Sequence, residues 1–566
     1  MVVAEVPASG ETLTPSEPPR RPGAAESEAA EDARLVRSTA AMAVGTTLSR
    51  ITGFARVAAM AFALGVAESR LADAYNVANN IPNIVYELIL GGILTSVFVP
   101  VFVQQMQSRS REEAWRSAQA VMTVAVVVLG IVMLAGILAA PWIVKLYTLR
   151  VPAADRADVQ PLATFFLRIF MPQIALYGLG AVATGLLNAH RRFAVPMFAP
   201  ILNNLVVIAS FMLFALLPSP EPGNPSPSNI STAQTLVLAL GATAGVAAMT
   251  LALWPSLRRI GFRFRWRLHW RNEAVRKLVR LSGWAVVYVA INQVGLLFVI
   301  ILAGQEQGGY TAYQAAFIFF QLPHAIFSVS IMTALLPNLS EDWVREDRRD
   351  FRRDLAKGIR ASAFVVVPAT AGYLVLAEPI VRLLLEHGVA TSQSTDLVAS
   401  VLTFFAIGLF PFSAFMLFLR AFYAMQDTRT PALINLGAVA VNTGANFALF
   451  PILGVQGLAL GHALAYTVAA VVAGLMIRSR LGGLEGRFLA RGLGKIVAAA
   501  ALTGAGAWAA ARLMSEVFGT DTFVDQLIQV GTGVLAGIII FLGAAMLFRM
   551  EELTLVRRTL FARTRR

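Results

Sequence analysis

Arg50 and Arg56 stand six residues apart in the stretch 38–65, which carries no other charge. A guanidinium within an apolar membrane helix costs a few kcal/mol or more, so such a group faces a wet interior and has a task there. In a low-dielectric cavity, what a guanidinium grips best is a phosphate, through two parallel hydrogen bonds. At 100° per residue the two arginines differ by about 240° around the helix, so a shared cavity requires a bend, and Thr52-Gly53 could supply it. Two carboxylates follow on the next apolar stretch, Asp73 near its outer end and Glu87 near its middle. Each either pairs with an arginine and holds the packing, or serves as a titratable switch. Arg168 lies toward the outer end of a long helix, from which it can snorkel. With arginine leading, the cavity points to an anionic cargo, a lipid diphosphate whose tail stays in the bilayer.

Other chemistry is not supported. There is no cysteine, which removes disulfides, thiolate metal sites and thiol nucleophiles together. The five histidines (His190, His269, His324, His387 and His462) have no metal-ligand spacing, and no phosphate-binding loop is present. The reading is therefore not an enzyme, with no metal and no bound cofactor. The membrane potential can drive an anion outward, at about 2.3 kcal/mol per charge per 100 mV.

The elements that must position these residues are membrane spans. The 566 residues are 57% hydrophobic and only 14% charged, against about a quarter charged in soluble domains. Mean hydropathy is +0.66. Apolar stretches of about 20 residues recur along the chain. They predict fourteen spans, at 38–65, 72–105, 117–144, 169–189, 193–220, 222–257, 281–305, 307–340, 361–377, 397–419, two within 430–476, 496–511 and 526–548. With both termini cytoplasmic, 38 of the 47 basic residues fall in cytoplasmic segments and only 6 in outer loops, as the positive-inside rule requires. The net charge of +14 thus reflects topology and contact with anionic membrane lipids, and nucleic acid is not an expected partner. Residues 258–271 interleave arginine with aromatic residues and read as an interfacial segment on anionic lipid.

Six spans separate Pro82 from Pro323, and the hairpin LNAHRRFAVP (187–196) from FYAMQDTRTP (422–431). An even offset means a parallel repeat of the kind transporters use. The expected fold is all-α and polytopic: a disordered tail (1–37), a first six-helix bundle (38–257), a basic linker (258–280), a second bundle (281–480), a C-terminal helix pair (481–549) and a basic tail (550–566). The first tail lacks the apolar core and cleavage site of a signal peptide.

The motifs SRITGFAR (49–56), ADAYNVANNIPN (72–83), FVPVF (98–102), LNAHRRFAVPMFAP (187–200) and FYAMQDTRTP (422–431) occur in family order, and the chain resembles the MurJ/MviN lipid II flippases over roughly residues 38–550. The resemblance implies the fold of the multidrug/oligosaccharidyl-lipid/polysaccharide exporter superfamily. It also implies flipping of the undecaprenyl-diphosphate-linked peptidoglycan precursor, lipid II, to the outer leaflet of a bacterial plasma membrane. Arg50 and Arg56 match the arginines that engage the diphosphate, and Asp73 matches a helix-two aspartate. Asn83, Glu87 and Gln321 complete the candidate substrate contacts. Some members bind sodium in the second bundle, where Asn442 and Asn446, faced by Asn292, match; coupling to Na+, to H+ or to the potential alone stays open. The last two helices would flank a groove for the prenyl tail, and the cytoplasmic tails could recruit cell-wall synthesis or division proteins. The chain departs from the family at Tyr86 and near Ile318, where arginines are usual, and at Val57, often acidic. Those departures keep two alternatives: a drug or metabolite exporter of the same superfamily, or a non-transporting cell-wall scaffold.

Overall fold

The computed structural model describes residues 45–87, 111–221, 223–268 and 273–553. The first tail, FVPVF and most of the last tail lie outside these residues. Within them every regular element is a helix. In chain order they are α1 (45–64), α2 (Leu71–Glu87), α3 (Arg111–Tyr147), α4 (Ala153–Phe170), α5 (Gln173–Ala189), α6 (Ala194–Leu216), α7 (Thr232–Ala252), α8 (Trp254–Arg259) and α9 (Glu273–Ala303). Then come α10 (Gly309–Pro323), α11 (Val329–Val344), α12 (Arg348–Leu385), α13 (Ser392–Ile407), α14 (Leu409–Ala424), α15 (Arg429–Leu453), α16 (Val455–Leu481), α17 (Gly486–Phe518) and α18 (Phe523–Leu547). Among the described residues ten helical runs are long and apolar enough to cross a bilayer, or eleven if the pair α13–α14, bent by 48°, is one span. Several begin earlier than expected: α9 at Glu273, α12 at Arg348 and α17 at Gly486. Charge marks the membrane boundary, not the helix end, because the backbone ladder can continue into water.

Large apolar side chains stand outward along the spans, among them Ile131, Leu138 and Trp142 of α3 and Leu535, Ile539 and Leu547 of α18. In a bilayer this belt meets lipid tails. The largest buried cluster belongs to both halves of the chain: in one, Tyr75 meets Phe166, Phe170 and Phe211 edge-on, and in the other Phe320 packs at a tilt on Phe405. α12 carries the C-terminal pair α17–α18 on one flank.

Proline and glycine set the breaks. Pro323 ends α10, and the ladder widens into a π-turn over His324–Ser328 before α11 resumes, as expected where a residue offers no N–H. Gly408 joins α13 to α14 with its Cα against Ala463, where a side chain would collide with backbone. The two hairpins of the suspected repeat share one geometry. Arg191 and Gln426, the fifth residue of each motif, both take positive φ (57° and 59°). Arg192 N–H donates to Leu187 O and Asp427 N–H to Phe422 O, each at 2.9 Å. Asp427 then caps α15 through the N–H groups of Arg429 and Thr430 and pairs with Arg480 at 2.6 Å. Burial alone would raise its carboxyl, but the Thr430 and Arg480 hydrogen bonds win and hold it at about 2. The segment after α8 runs extended beside α3: Gln119 Nε2 donates to Arg263 O, and Arg267 N–H to Thr123 Oγ1. Phe262 is buried, while Arg263, Arg265 and Trp266 are exposed.

Candidate functional site: two adjoining cavities under an outer latch

α1 is unbroken through Thr52-Gly53, so the expected bend is not a helix break. Asn204 of α6 fixes its rotation by donating to Ser49 O and Thr52 Oγ1. That rotation turns Arg56 inward. Arg56 lines a cavity of about 210 Å³ and is the single charged group among the described residues around it. Amides supply the rest of the polar wall: Asn76, Asn79 and Asn83 from α2, Gln173 from α5 and Asn203 from α6. Tyr177 donates to Asn83 Oδ1 at 2.9 Å. Gln173 Oε1 and Asn203 Oδ1 have no partner among the described residues. Ile318 also lines this cavity, so the departure from the usual arginine there is felt inside it. Tyr86 packs on Tyr177, with centroids 4.4 Å apart.

A second cavity of about 330 Å³ adjoins the first across Gln314 and Phe317 of α10, which line both. Its polar groups are Asn80 and Glu87 of α2, Asn292 and Gln293 of α9, Asn442 of α15 and His462 of α16. Gln293 Nε2 donates to Glu87 Oε2 at 2.7 Å.

The candidate residues thus separate. Arg56 and Asn83 share the first cavity; Glu87, Asn292 and Asn442 share the second. Arg50 is exposed and lines neither, though it lies within electrostatic reach of His324. Gln321 is half-buried and lines neither, whereas Gln314, not singled out from sequence, lies between the two. Neither carboxylate of α2 pairs with Arg50 or Arg56 among the described residues. Asn446 is fully buried and donates to Asn442 Oδ1 at 2.9 Å, and Asn435 donates to Asn292 Oδ1 at 3.4 Å. Asn442 Oδ1 and Asn292 Oδ1 thus each accept one N–H, while Asn446 Oδ1 is buried without a partner among the described residues. No group of three or more His, Cys, Asp or Glu side chains that could hold a metal ion occurs among the described residues. The sequence signal for the missed amides is the spacing of Asn76, Asn79, Asn80 and Asn83, a polar stripe at i, i+3, i+4 and i+7 on an apolar helix.

Asp73 works elsewhere. It is buried at the end where the loops expected outside meet, and accepts from Gly308 N–H (2.8 Å), Thr311 N–H (3.0 Å) and Thr311 Oγ1 (2.7 Å). It therefore caps α10 from the opposite half of the chain. Beside it the buried Arg70 pairs with Asp155 at 2.5 Å and donates to the carbonyls of Gly304, Gln305 and Glu306. Glu68, in the same 65–70 loop, takes Thr391 N–H (2.6 Å) and Thr391 Oγ1 (2.8 Å) on one oxygen. Ser394 Oγ (2.6 Å) and Val66 N–H (2.8 Å) bind the other. One loop of the first half is thus bound to two of the three connections of the second half that are expected outside, closing this end over the cavities.

Two outcomes follow for this latch. Burial pushes the Glu68 carboxyl up, but the hydrogen bonds from Ser394, Thr391 and Val66 outweigh it and leave it below its ordinary 4.5. A lowered value contributes closure that is complete above 4.5 and lost as pH falls through the lowered value. External acidification below about pH 4.5 should therefore raise solvent access to a probe cysteine at Ala67, with no change across pH 6–8. Gly308 has φ 72°, and a Cβ there would strike the Val66 carbonyl. Gly308→Ala should open the same probe at neutral pH, measured as faster labelling, while Gly482→Ala, at the same φ in open space, should not.

A family model described as lipid II flippase MurJ matches residues 60–529. A probable lipid II flippase MurJ from Rhizobium meliloti is 30% identical over 438 residues, 77% of this chain and 79% of that protein. Lipid II flippase MurJ from Burkholderia cenocepacia is 27% identical over 453 residues, 79% and 84%. Among solved structures, lipid II flippase MurJ in an inward closed conformation superposes with a TM-score of 0.72 at 20% identity, over 90% of this chain and 98% of that one. An inward-facing multidrug resistance MATE transporter gives 0.60 at 13% identity, over 76% and 95%. At these identities the structural likenesses speak to the fold alone. The sequence match covers most of the chain: it belongs to the lipid II flippase MurJ family.

Proposed function

We propose that this protein carries lipid II from the cytoplasmic to the outer leaflet of a bacterial plasma membrane by alternating access. Fourteen spans with both termini cytoplasmic would form two six-helix bundles and a C-terminal pair. Family membership supports the cargo, and one observation carries the site: Arg56 faces the first cavity with no described carboxylate to neutralise it. A guanidinium in that position is free to take the diphosphate. Asn83 and neighbouring amides would hold the diphosphate's outer oxygens, and the prenyl chain would trail in lipid beside α17 and α18. Closure at the outer latch leaves the cavities to be entered from the cytoplasmic side. We assign the driving force to the membrane potential acting on the anionic cargo. Exposed Arg263 and Arg265 would lie on anionic lipid. Partner proteins, if recruited, would meet the cytoplasmic tails.

The test is depletion in a cell with no second flippase, followed by measurement of lipid II in each leaflet. The precursor should accumulate inside; normal delivery to the outer leaflet would refute the assignment. An exporter of drugs or metabolites would instead give resistance phenotypes without precursor build-up.

A further inference from the structure

The two adjoining cavities differ in charge. Among the described residues Arg56 is the single charged group of the first, and Glu87 that of the second. Glu87 has one oxygen held by Gln293 Nε2, and Gln293 Oε1 is an acceptor without a partner among the described residues. A carboxylate oxygen next to an amide oxygen presents acceptors alone, the complement of an ammonium, which offers three donors and no acceptor. Tyr310, Tyr313, Phe317 and Tyr466 add aromatic walls, which also favour a cation. Asn80 Nδ2 and His462 Nδ1 line the same cavity, each on a side chain over nine-tenths buried and each without a partner among the described residues. They suit amide groups flanking that ammonium.

We infer that the second cavity is a subsite for a primary ammonium on the cargo's peptide, with Glu87 and Gln293 as the residues that select it. The inference rests on the proposed cargo. Peptides later cross-linked through amide bonds must carry a free amine, and a head group with a diphosphate at one end and an amine at the other matches Arg56 and Glu87 across Gln314. The cargo would then enter in one orientation, fixed at both ends.

The experiment uses the purified full chain in liposomes. It compares transport of a prenyl-diphosphate disaccharide-peptide with that of the same lipid bearing an acetylated amine. Wild type should prefer the free amine by about tenfold or more in kcat/KM, the scale of one charge-assisted hydrogen bond. Glu87→Gln should erase the preference, bringing the ratio of free-amine to acetylated transport close to one. Equal transport of both lipids by wild type overturns the inference and leaves the flippase reading standing; so does a preference that survives Glu87→Gln. Transport of neither lipid by wild type overturns both. The wild-type comparison requires no variant, so a misfolded Glu87→Gln cannot shelter the idea.

Discussion

A covalent bridge between the 65–70 loop and the start of α13 should stop transport, and cutting the bridge should restore it. The chain has no native cysteine, so Glu68→Cys with Thr391→Cys gives a single reactive pair at a place where the native groups are already in hydrogen-bond contact. A short bis-methanethiosulfonate reagent, which forms a disulfide with each cysteine as methanesulfinate leaves, holds the halves together at this end. If the cavities must open there to release cargo, flipping in liposomes falls to background after cross-linking and recovers on reduction. Each single-cysteine variant, treated alike, controls for loss of the native contacts. Undiminished flipping in the bridged protein would show that this end does not open during the cycle.

The second large effect belongs to Arg56. A charge-assisted phosphate contact contributes about 1.5–3 kcal/mol, so Arg56→Ala should weaken cargo binding roughly 10- to 150-fold and abolish complementation at normal expression. Arg56→Lys keeps the charge but loses the two-pronged grip, and should recover only part of the activity. Arg50→Ala should cost less, because Arg50 is exposed and outside both cavity walls. Cargo binding is read directly by lipid pull-down, separately from transport. Equal losses for Arg50→Ala and Arg56→Ala would place the diphosphate between them, not in the first cavity.

Much of this was legible in the sequence where the cause is local. Span positions follow from apolar length, Asp427 sits two and three residues before the N–H groups it caps, and Arg56 is conspicuous on a helix whose one other charge is Arg50. The Asn stripe of α2 was equally readable but was overshadowed by the carboxylates beside it. What stayed hidden depends on distant partners. Asp73 looks like a buried counter-charge until the fold brings Gly308 and Thr311 to it from 235 and 238 residues away. Glu68 gives no hint of Thr391, since neither loop has a periodicity that names the other. The rotation of α1, which separates Arg50 from Arg56, is set by Asn204 on another helix. Spacing alone could not assign both arginines to one cavity.

The outer closure is made chiefly of polar atoms: carboxylates, hydroxyls, a guanidinium and backbone amides. An apolar seal of equal extent would have to expose its whole surface to water on opening, and the loss would grow with every methylene. Here each group released finds water as a substitute partner, so the net difference per hydrogen bond is only about 0.5–1.5 kcal/mol. Shut and open forms can then lie close in free energy, within range of what one charge gains from the membrane field. The same polarity that makes the contact specific makes it reversible, which a repeatedly cycling carrier requires.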